Sequence, residues 1–157
     1  MNGVQLDDID CAVVEELQRD SRATYAQVGA RVGLSAAAVH ARVKNLERRG
    51  VITGFGARVD AEAVGLPVTA FLAVRVANGV IGDGVKDQLH TIAEIEECHS
   101  VAGAVDLLMK VRCASPTHLE SLIRRVNTVP GVDRTDTTVV LTTVFDDRPL
   151  PLPRRDG

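Results

Sequence analysis

The chain has 157 residues, of which 45% are hydrophobic and 25% charged, and its formal net charge is −3, a composition typical of one globular domain or two small ones. No apolar run approaches the roughly 20 residues of a membrane-spanning helix, which excludes a membrane partner. Cys11, Cys98 and Cys113 are odd in number and widely spaced, which predicts reduced thiols in a cytoplasmic protein and no metal site.

Two short helices are predicted at the start of the chain. Asp7 or Asp8 caps the first helix. Its buried side is predicted to consist of Ile9, Val13 and Leu17. Thr24 and Gln27 form the T-x-x-Q pattern of a capping box, so a second helix begins there. Gly33 permits the left-handed conformation that closes a helix and therefore marks its end.

A third helix follows after a turn of three residues. Ser35 is its predicted N-cap, and Gly50 ends it. Val39, Val43 and Leu46 follow at the i, i+4 and i+7 spacing of a buried helical face. Three short amphipathic helices with such a turn between the second and the third match the helix-turn-helix plan, so double-stranded DNA is the first partner to consider.

The charge of this region supports a nucleic-acid partner. Between Arg22 and Arg49 there are six basic side chains and one acid, Glu47, so this segment carries +5 within a chain of −3. Phosphate neutralisation needs a local basic face and not a basic protein. The alternative is that these charges only solvate a helix surface.

The predicted DNA contacts lie on the third helix and at the start of the second. They are Arg22, Thr24, Ser35, Ala36, Ala37, His40, Ala41, Lys44 and Arg48. Alanine can contact a thymine methyl group but cannot hydrogen-bond to a base, so we expect DNA bendability to contribute to specificity. His40 either bonds a base or phosphate or is simply exposed. Arg42 lies at the flank of the buried face, where pairing within the domain is an equal alternative.

The remaining chain predicts a second module. Val51–Val59 has a short strand pattern and is either a wing or the start of a linker strand. From Pro67 onward the order is β-α-β-β-α-β, the ferredoxin-like arrangement, which gives an α+β protein. Its predicted elements are a strand from Val68, a helix over 84–93, strands over Ile95–Val101 and Val105–Cys113, a helix after Ser115-Pro116, and a strand over Val132–Phe145. Two helices cover one face of the sheet, and a partner subunit is the simplest cover for the other.

The predicted organisation has four parts. Residues 1–59 form the helix-turn-helix (winged) domain, 60–66 the linker, 67–146 the effector-binding and oligomerisation domain, and 147–157 an extended proline-rich tail.

This order of elements resembles the Lrp/AsnC family of leucine-responsive and feast/famine regulators, from Leu6 to about Phe145. The matching pieces are Leu6-Asp7-Asp8-Ile9-Asp10, Leu34-Ser35, Arg42-Val43-Lys44-Asn45-Leu46-Glu47, Gly50-Val51-Ile52, Gly103-Ala104-Val105-Asp106-Leu107-Leu108, Pro130-Gly131-Val132 and Thr135-Asp136-Thr137. The resemblance implies an intracellular transcription regulator that forms homodimers. It also implies that the dimers assemble into tetramers or octamers, and that an amino acid bound between subunits tunes assembly or DNA binding.

The resemblance places the effector site around the Gly-x-x-Asp motif. Asp106 would contact the amino group of the effector, and the alternative is a paired turn aspartate near Gly103. The family usually has an aromatic residue just before this aspartate, whereas this chain has Ala104 and Val105, so the pocket wall is smaller and more apolar. The residues assigned to the pocket are Val101, Gly103, Ala104, Asp106, Thr135 and Thr137, although threonine is also a common strand residue.

Two other functions remain as alternatives. The first is an architectural DNA-binding protein without an effector. The second is an enzyme, because siroheme decarboxylases resemble the same two-domain layout and need polar groups around a tetrapyrrole. The four histidines, His40, His90, His99 and His118, form no evident cofactor cluster, and Cys98-His99 is a lone pair interpreted as a buried thiol beside a surface imidazole. We therefore predict no enzyme activity, no cofactor and no bound metal.

Overall fold

The computed structural model describes residues 5–153, and the chain divides into two compact units. The N-terminal unit contains the residues up to Arg58 and the segment from Phe145 onward, and the C-terminal unit is Val59–Val144. Among the described residues, no helix has both the length and the apolar character needed to cross a membrane. The helices of the N-terminal unit are α1 (Asp8–Arg19), α2 (Tyr25–Val32) and α3 (Ala36–Arg48). The C-terminal unit contains β1 (Val68–Val76), α4 (Asp83–His90), β2 (Ile95–Ser100), β3 (Leu107–Cys113), α5 (Pro116–Asn127) and β4 (Val132–Val139).

Side-chain caps start all three N-terminal helices. The Asp7 carboxylate accepts from the Asp10 N–H at 2.5 Å, and the Ser35 hydroxyl accepts from the Ala38 N–H at 3.2 Å. Thr24 and Gln27 make both bonds of the predicted capping box. These bonds satisfy N–H groups that have no partner within the helix, so the predicted helix starts are confirmed.

The turn between α2 and α3 depends on two glycines. Gly33 has a φ of 73°, the left-handed conformation that closes a helix with little strain when the residue is glycine. Gly29 is buried in α2, and its open side faces the backbone carbonyl of Leu34. The Leu34 N–H donates to the Gly29 carbonyl at 2.9 Å, which fixes the turn.

The apolar core of the N-terminal unit joins the three helices. It contains Val13, Val14, Leu17, Val28, Val39, Val43 and Leu46. The predicted burial of Val39, Val43 and Leu46 is confirmed, since none of them is exposed. The predicted burial of Ile9 is wrong: Ile9 is 38% exposed, because α1 turns Asp10, Val13 and Leu17 inward instead.

The C-terminal unit is a four-stranded antiparallel sheet in the order β2-β3-β1-β4, with α4 and α5 packed on one face. Leu72 of β1 pairs with Met109 on one side and Thr137 on the other. Alternate residues of β1 and β3 point toward the helices and are buried, as a period of two requires. The predicted ferredoxin-like architecture is confirmed.

Two predicted strand segments differ in the structure. No strand forms in the predicted wing, Val51–Val59; instead the N–H groups of Val51 and Ile52 donate back to the Leu46 carbonyl. The final strand was predicted to reach Phe145, but it ends at Val139. Its partner β1 begins at Val68, so after the bond from the Val140 N–H to the Thr69 carbonyl there is no strand left to pair with.

The remaining differences are in α4, β2 and β3. The strand predicted to end at Val101 ends at Ser100, and the one predicted from Val105 begins at Leu107. The helix predicted over 84–93 ends at His90, with Thr91 as its C-cap. Cys98 was predicted to be buried, but it is exposed, because β2 is an edge strand covered only partly by the helices. The His99 ring is exposed, as predicted.

Candidate DNA-binding and effector surfaces

The exposed face of α3 lies opposite its buried stripe. Ser35 caps the helix, and the exposed face carries Ala36, Ala37, His40, Ala41, Lys44 and Arg48. The His40 ring centroid is 5.5 Å from that of Tyr25 on α2, so one edge of this face continues onto α2. Arg22 and Thr24 are exposed just before α2.

Acidic residues of α1 and its cap neutralise half of the basic side chains between Arg22 and Arg49. Glu16 pairs with Arg31 at 2.6 Å. Arg42 lies 2.7 Å from the Asp7 carboxylate and 2.6 Å from that of Asp10, and Arg49 lies 3.6 Å from Asp10. Asp10, which contacts both Arg42 and Arg49, is only 7% exposed. Arg42 therefore pairs within its own domain.

This network also affects the Asp7 carboxylate. The N–H of Asp10 and then the guanidinium of Arg42 lower the pKa of Asp7 from its ordinary value, because both favour the charged form. The Arg42 contacts hold α3 against the start of α1. Their contribution is therefore structural.

The other basic side chains remain available on the surface. Within residues 5–153, Arg22, Lys44 and Arg48 form no ion pair with a carboxylate, and all three are exposed. The backbone N–H of Arg22 donates to the Asp20 carboxylate at 2.9 Å, and the residue itself is exposed. The six basic side chains therefore fall into two groups. Three are exposed and unpaired within residues 5–153, and the other three, Arg31, Arg42 and Arg49, are paired with acids.

The predicted effector loop is bonded to the end of β1. The Asp106 N–H donates to the Val74 carbonyl at 2.9 Å, and the Asp106 carboxylate accepts from the Val76 N–H at 2.8 Å. The Val101 N–H donates to the Asp106 carbonyl at 3.0 Å and closes the turn. Asp106 is half-buried, while Gly103 and Ala104 are exposed at the tip. In the single chain, Asp106 is the paired turn aspartate of the alternative interpretation.

The two predicted threonines lie on a different strand. The Thr135 hydroxyl donates to the Asn127 side chain of α5 at 3.1 Å, and Thr137 is half-buried on the same side of β4. Because β1 separates β3 from β4, Asp106 and Thr135 are two strand spacings apart, roughly 10 Å. One chain therefore does not gather the six predicted residues around one cavity.

The face of the sheet opposite α4 and α5 is named the open face here. Phe71 is 39% exposed and Leu108 is 36% exposed at its centre. Lys110 of the same face lies 3.3 Å from Glu96 and 3.4 Å from Glu97. An apolar centre beside charged residues is typical of a protein interface. The sequence predicted that this face would need a cover, because apolar residues also occur on the alternate phase of the strands, which includes Phe71 and Leu108.

The histidines lie on separate elements. His40 is on α3, His90 on α4, His99 on β2 and His118 on α5. Over the described part of the chain, no group of three histidine, cysteine, aspartate or glutamate residues is arranged to hold a metal ion.

A helix-turn-helix with a cationic outer face, joined to a ferredoxin-like unit, defines a class of two-domain DNA-binding regulators. The model of the AsnC-type helix-turn-helix domain matches residues 6–47, and the model of the Lrp/AsnC ligand binding domain matches residues 69–150. The chain belongs to the Lrp/AsnC family of transcription regulators.

Known relatives agree over almost the whole length. The HTH-type transcriptional regulator LrpA of Mycobacterium tuberculosis is 43% identical over 143 residues, which covers 91% of this chain and 95% of the relative. The structure of a feast or famine regulatory protein from M. tuberculosis complexed with L-methionine is 42% identical, with a TM-score of 0.87, and the match covers 93% of this chain and 99% of that one. The structure of Escherichia coli AsnC has a TM-score of 0.86 at 25% identity, over 94% and 99% of the two chains. The curated relatives LrpA and FL11 are both HTH-type transcriptional regulators.

Proposed function

We propose that this regulator binds double-stranded DNA through α3 and the start of α2, and that a small amino acid bound between subunits tunes its DNA binding or assembly. The observation that supports the DNA-binding part is the separation of the cations. Arg22, Lys44 and Arg48 are exposed and unpaired within residues 5–153, whereas Arg31, Arg42 and Arg49 are held by acids. Because the proposed partner is DNA, we place the protein in the cytoplasm.

The proposed reading of DNA is mostly indirect. The first turns of α3 enter the major groove in this motif, and here they carry Ser35, Ala36, Ala37 and Ala41. Alanine side chains allow close approach and contact thymine methyl groups, but they offer no hydrogen bond. We therefore propose that the unpaired cations and Thr24 position the protein on phosphates, that His40 bonds a base or a phosphate, and that DNA deformability contributes much of the specificity.

A salt titration tests the DNA interface. The DNA is a duplex selected from a random pool by the unmodified protein, and affinity is measured by fluorescence anisotropy at several salt concentrations. Lys44→Ala and Arg48→Ala should each weaken binding and reduce the salt slope by about 1 per site. The matched control is Arg31→Ala, an exposed arginine paired with Glu16, which should leave the slope unchanged. Equal effects of the three substitutions would contradict the proposal that Lys44 and Arg48 contact phosphates whereas Arg31 does not.

We also propose that the open face is covered by a second copy of the chain. Its apolar centre, Phe71 and Leu108, is exposed in the single chain, and a symmetric dimer would bury the same patch from both sides. Phe71→Lys should shift the sedimentation coefficient toward the monomer, because it places a charge at the centre of the contact. Val80→Lys is the control, since Val80 is 71% exposed and lies outside the sheet. A dimer that survives Phe71→Lys argues against this surface. The proposed tetramers or octamers would sediment faster than the dimer in the same experiment.

The proposed effector site is the turn 101–106 together with a surface from another subunit. Support comes from the L-methionine bound in a related structure and from the half-buried carboxylate of Asp106 at the turn. A subunit junction would bring Thr135 and Thr137 to the ligand without requiring one chain to do so. The side chains of Ala104 and Val105 favour a compact apolar effector.

A thermal-shift panel of amino acids, beginning with L-methionine, tests this site. An amino acid that binds and is present at about 100 times its Kd should stabilise the folded protein by roughly 2.7 kcal/mol. Asp106→Asn should remove the shift, because the amide can still accept from the Val76 N–H but no longer attracts a ligand ammonium group. Asp133→Asn, at an exposed position of β4, is the control. If no amino acid produces a shift while DNA binding persists, the effector-independent architectural alternative is the better description.

A further inference from the structure

The proline-rich tail packs on the DNA-binding unit. Residues Asp147–Pro153, the C-terminal strap, contain Pro149, Pro151 and Pro153 alternating with two leucines, a composition that favours an extended chain. The chain returns to the N-terminal unit at Phe145, so the strap is part of that unit.

The strap is held by specific polar contacts. The Gln18 side chain of α1 accepts from the Leu150 N–H at 2.7 Å and donates to the Leu150 carbonyl at 3.3 Å. This pair of bonds satisfies both backbone groups of one extended residue, as a neighbouring strand would. The Cys11 thiol donates to the Pro153 carbonyl at 3.6 Å, and Arg58 donates to the Asp147 carbonyl at 2.5 Å.

The two leucines of the strap have different environments. Leu152 is half-buried and packs on the apolar core of the helix-turn-helix, whereas Leu150 is 73% exposed. A polyproline II chain has three residues per turn, so side chains two residues apart point in different directions, and this difference indicates a docked segment with one inner face. The two leucines also provide a matched pair for substitution.

The path of the chain makes the strap part of a second covalent connection between the two units. The chain leaves the N-terminal unit after Arg58, forms the sheet, and returns at Phe145. Seven residues, 140–146, separate the end of β4 from the strap, a span of at most about 25 Å. The chain therefore passes between the units twice, once after Arg58 and once before Phe145.

We propose that docking of the C-terminal strap on α1 is a second tether that limits the reach of the helix-turn-helix unit and so restricts which half-site spacings a dimer can bind. This inference rests on the proposed DNA-binding function. A unit held by one flexible linker samples a larger volume than a unit held at both ends. The second tether raises the effective concentration of the second helix-turn-helix at the matching half-site and lowers it elsewhere.

Cys11 reports on docking. It is 3% exposed, and burial together with nearby acids raises the pKa of its thiol, so it reacts slowly while the strap is docked. Labelling of the full-length protein with a maleimide, followed by peptide mass spectrometry, measures its reactivity. Leu152→Ala should increase the labelling rate of Cys11 about tenfold, whereas Leu150→Ala should leave it unchanged. Cys113, which has no exposed surface, serves as the internal standard for global unfolding.

DNA spacing measures the restraint. Duplexes with two copies of a selected half-site, spaced in single base-pair steps around about 10–10.5 bp, are titrated with the unmodified protein and both leucine variants. In Leu152→Ala, the ratio between the affinity at the best spacing and the affinity at other spacings should fall about tenfold. The affinity for one isolated half-site should stay unchanged. Gln18→Ala provides an independent second variant that removes both Leu150 bonds.

The outcomes separate the two proposals. If the unmodified protein fails to bind a single half-site, the DNA-binding proposal fails. If single-site binding is intact but the spacing profiles of Leu152→Ala and Gln18→Ala match that of the unmodified protein, the tether is refuted. An unchanged Cys11 labelling rate in both variants refutes the docking itself.

Discussion

Glu94 gives a stability prediction whose magnitude follows from the structure. Its carboxylate lies 2.9 Å from the His118 ring and 2.6 Å from the Arg125 guanidinium, and its side chain is 16% exposed. The bond from Arg125, and then that from His118, lower the pKa of Glu94 from 4.5 to about 2 against the opposing effect of burial. At about 1.4 kcal/mol per pKa unit, such a shift corresponds to roughly 3 kcal/mol. Arg125 is half exposed, so screening reduces our expectation for Glu94→Gln to about 2 kcal/mol of lost stability near neutral pH.

The pH dependence of this loss has a definite sign. Because the folded pKa lies below the unfolded one, the stabilisation is fully present above about pH 5 and is lost as the pH falls toward 2. The unmodified protein and Glu94→Gln are unfolded in urea at equal concentration and followed by circular dichroism. The difference between their free energies of unfolding should shrink by about half between pH 5 and pH 3. Glu120→Gln removes an exposed pair with Arg124 on α5 and should cost about 0.5 kcal/mol or less. If the difference between the unmodified protein and Glu94→Gln stays constant over this range, the lowered pKa of Glu94 is not the source of the stabilisation.

Two further substitutions test the helix-turn-helix unit. In Gly29→Ala the new Cβ would lie closer than 3.0 Å to the Leu34 carbonyl oxygen, so thermal unfolding should show a loss of roughly 1–3 kcal/mol, whereas Gly84→Ala, with open space in α4, should gain about 0.5 kcal/mol. Arg42→Ala leaves the buried Asp10 without its nearest cation and should cost about 2 kcal/mol in urea unfolding, while the salt slope of DNA binding stays unchanged. A lower salt slope for Arg42→Ala would show that this arginine contacts phosphate after all.

Local signals in the sequence predicted most of the helix-turn-helix. A cap such as Ser35, a capping box from Thr24 and a glycine such as Gly33 act within four residues of where they stand. The alternation along β1 and β3 predicted the sheet equally well, because one face of each strand is buried. These features depend little on distant parts of the chain.

Features that depend on distant partners were not predictable in the same way. Val51–Val59 and residues 140–145 carry strand-like patterns, but a strand also needs a neighbour to bond with. The exposure of Cys98 follows from the position of β2 at the sheet edge, and that position is set by the sheet order. Likewise, the two leucines of the strap look alike in sequence, and only the surface of α1 distinguishes them.

The candidate DNA surface shows the same principle through charge. A sequence count gives six basic residues between Arg22 and Arg49, but carboxylates from the start and middle of α1 occupy three of them. If only the three surface cations neutralise phosphates, a dimer makes about six such contacts. The slope of log affinity against log salt should then be close to −5, since each contact contributes about −0.9. If all six basic residues acted, the slope would approach −11, so a measured value near that limit would mean that DNA displaces the α1 carboxylates from their arginines.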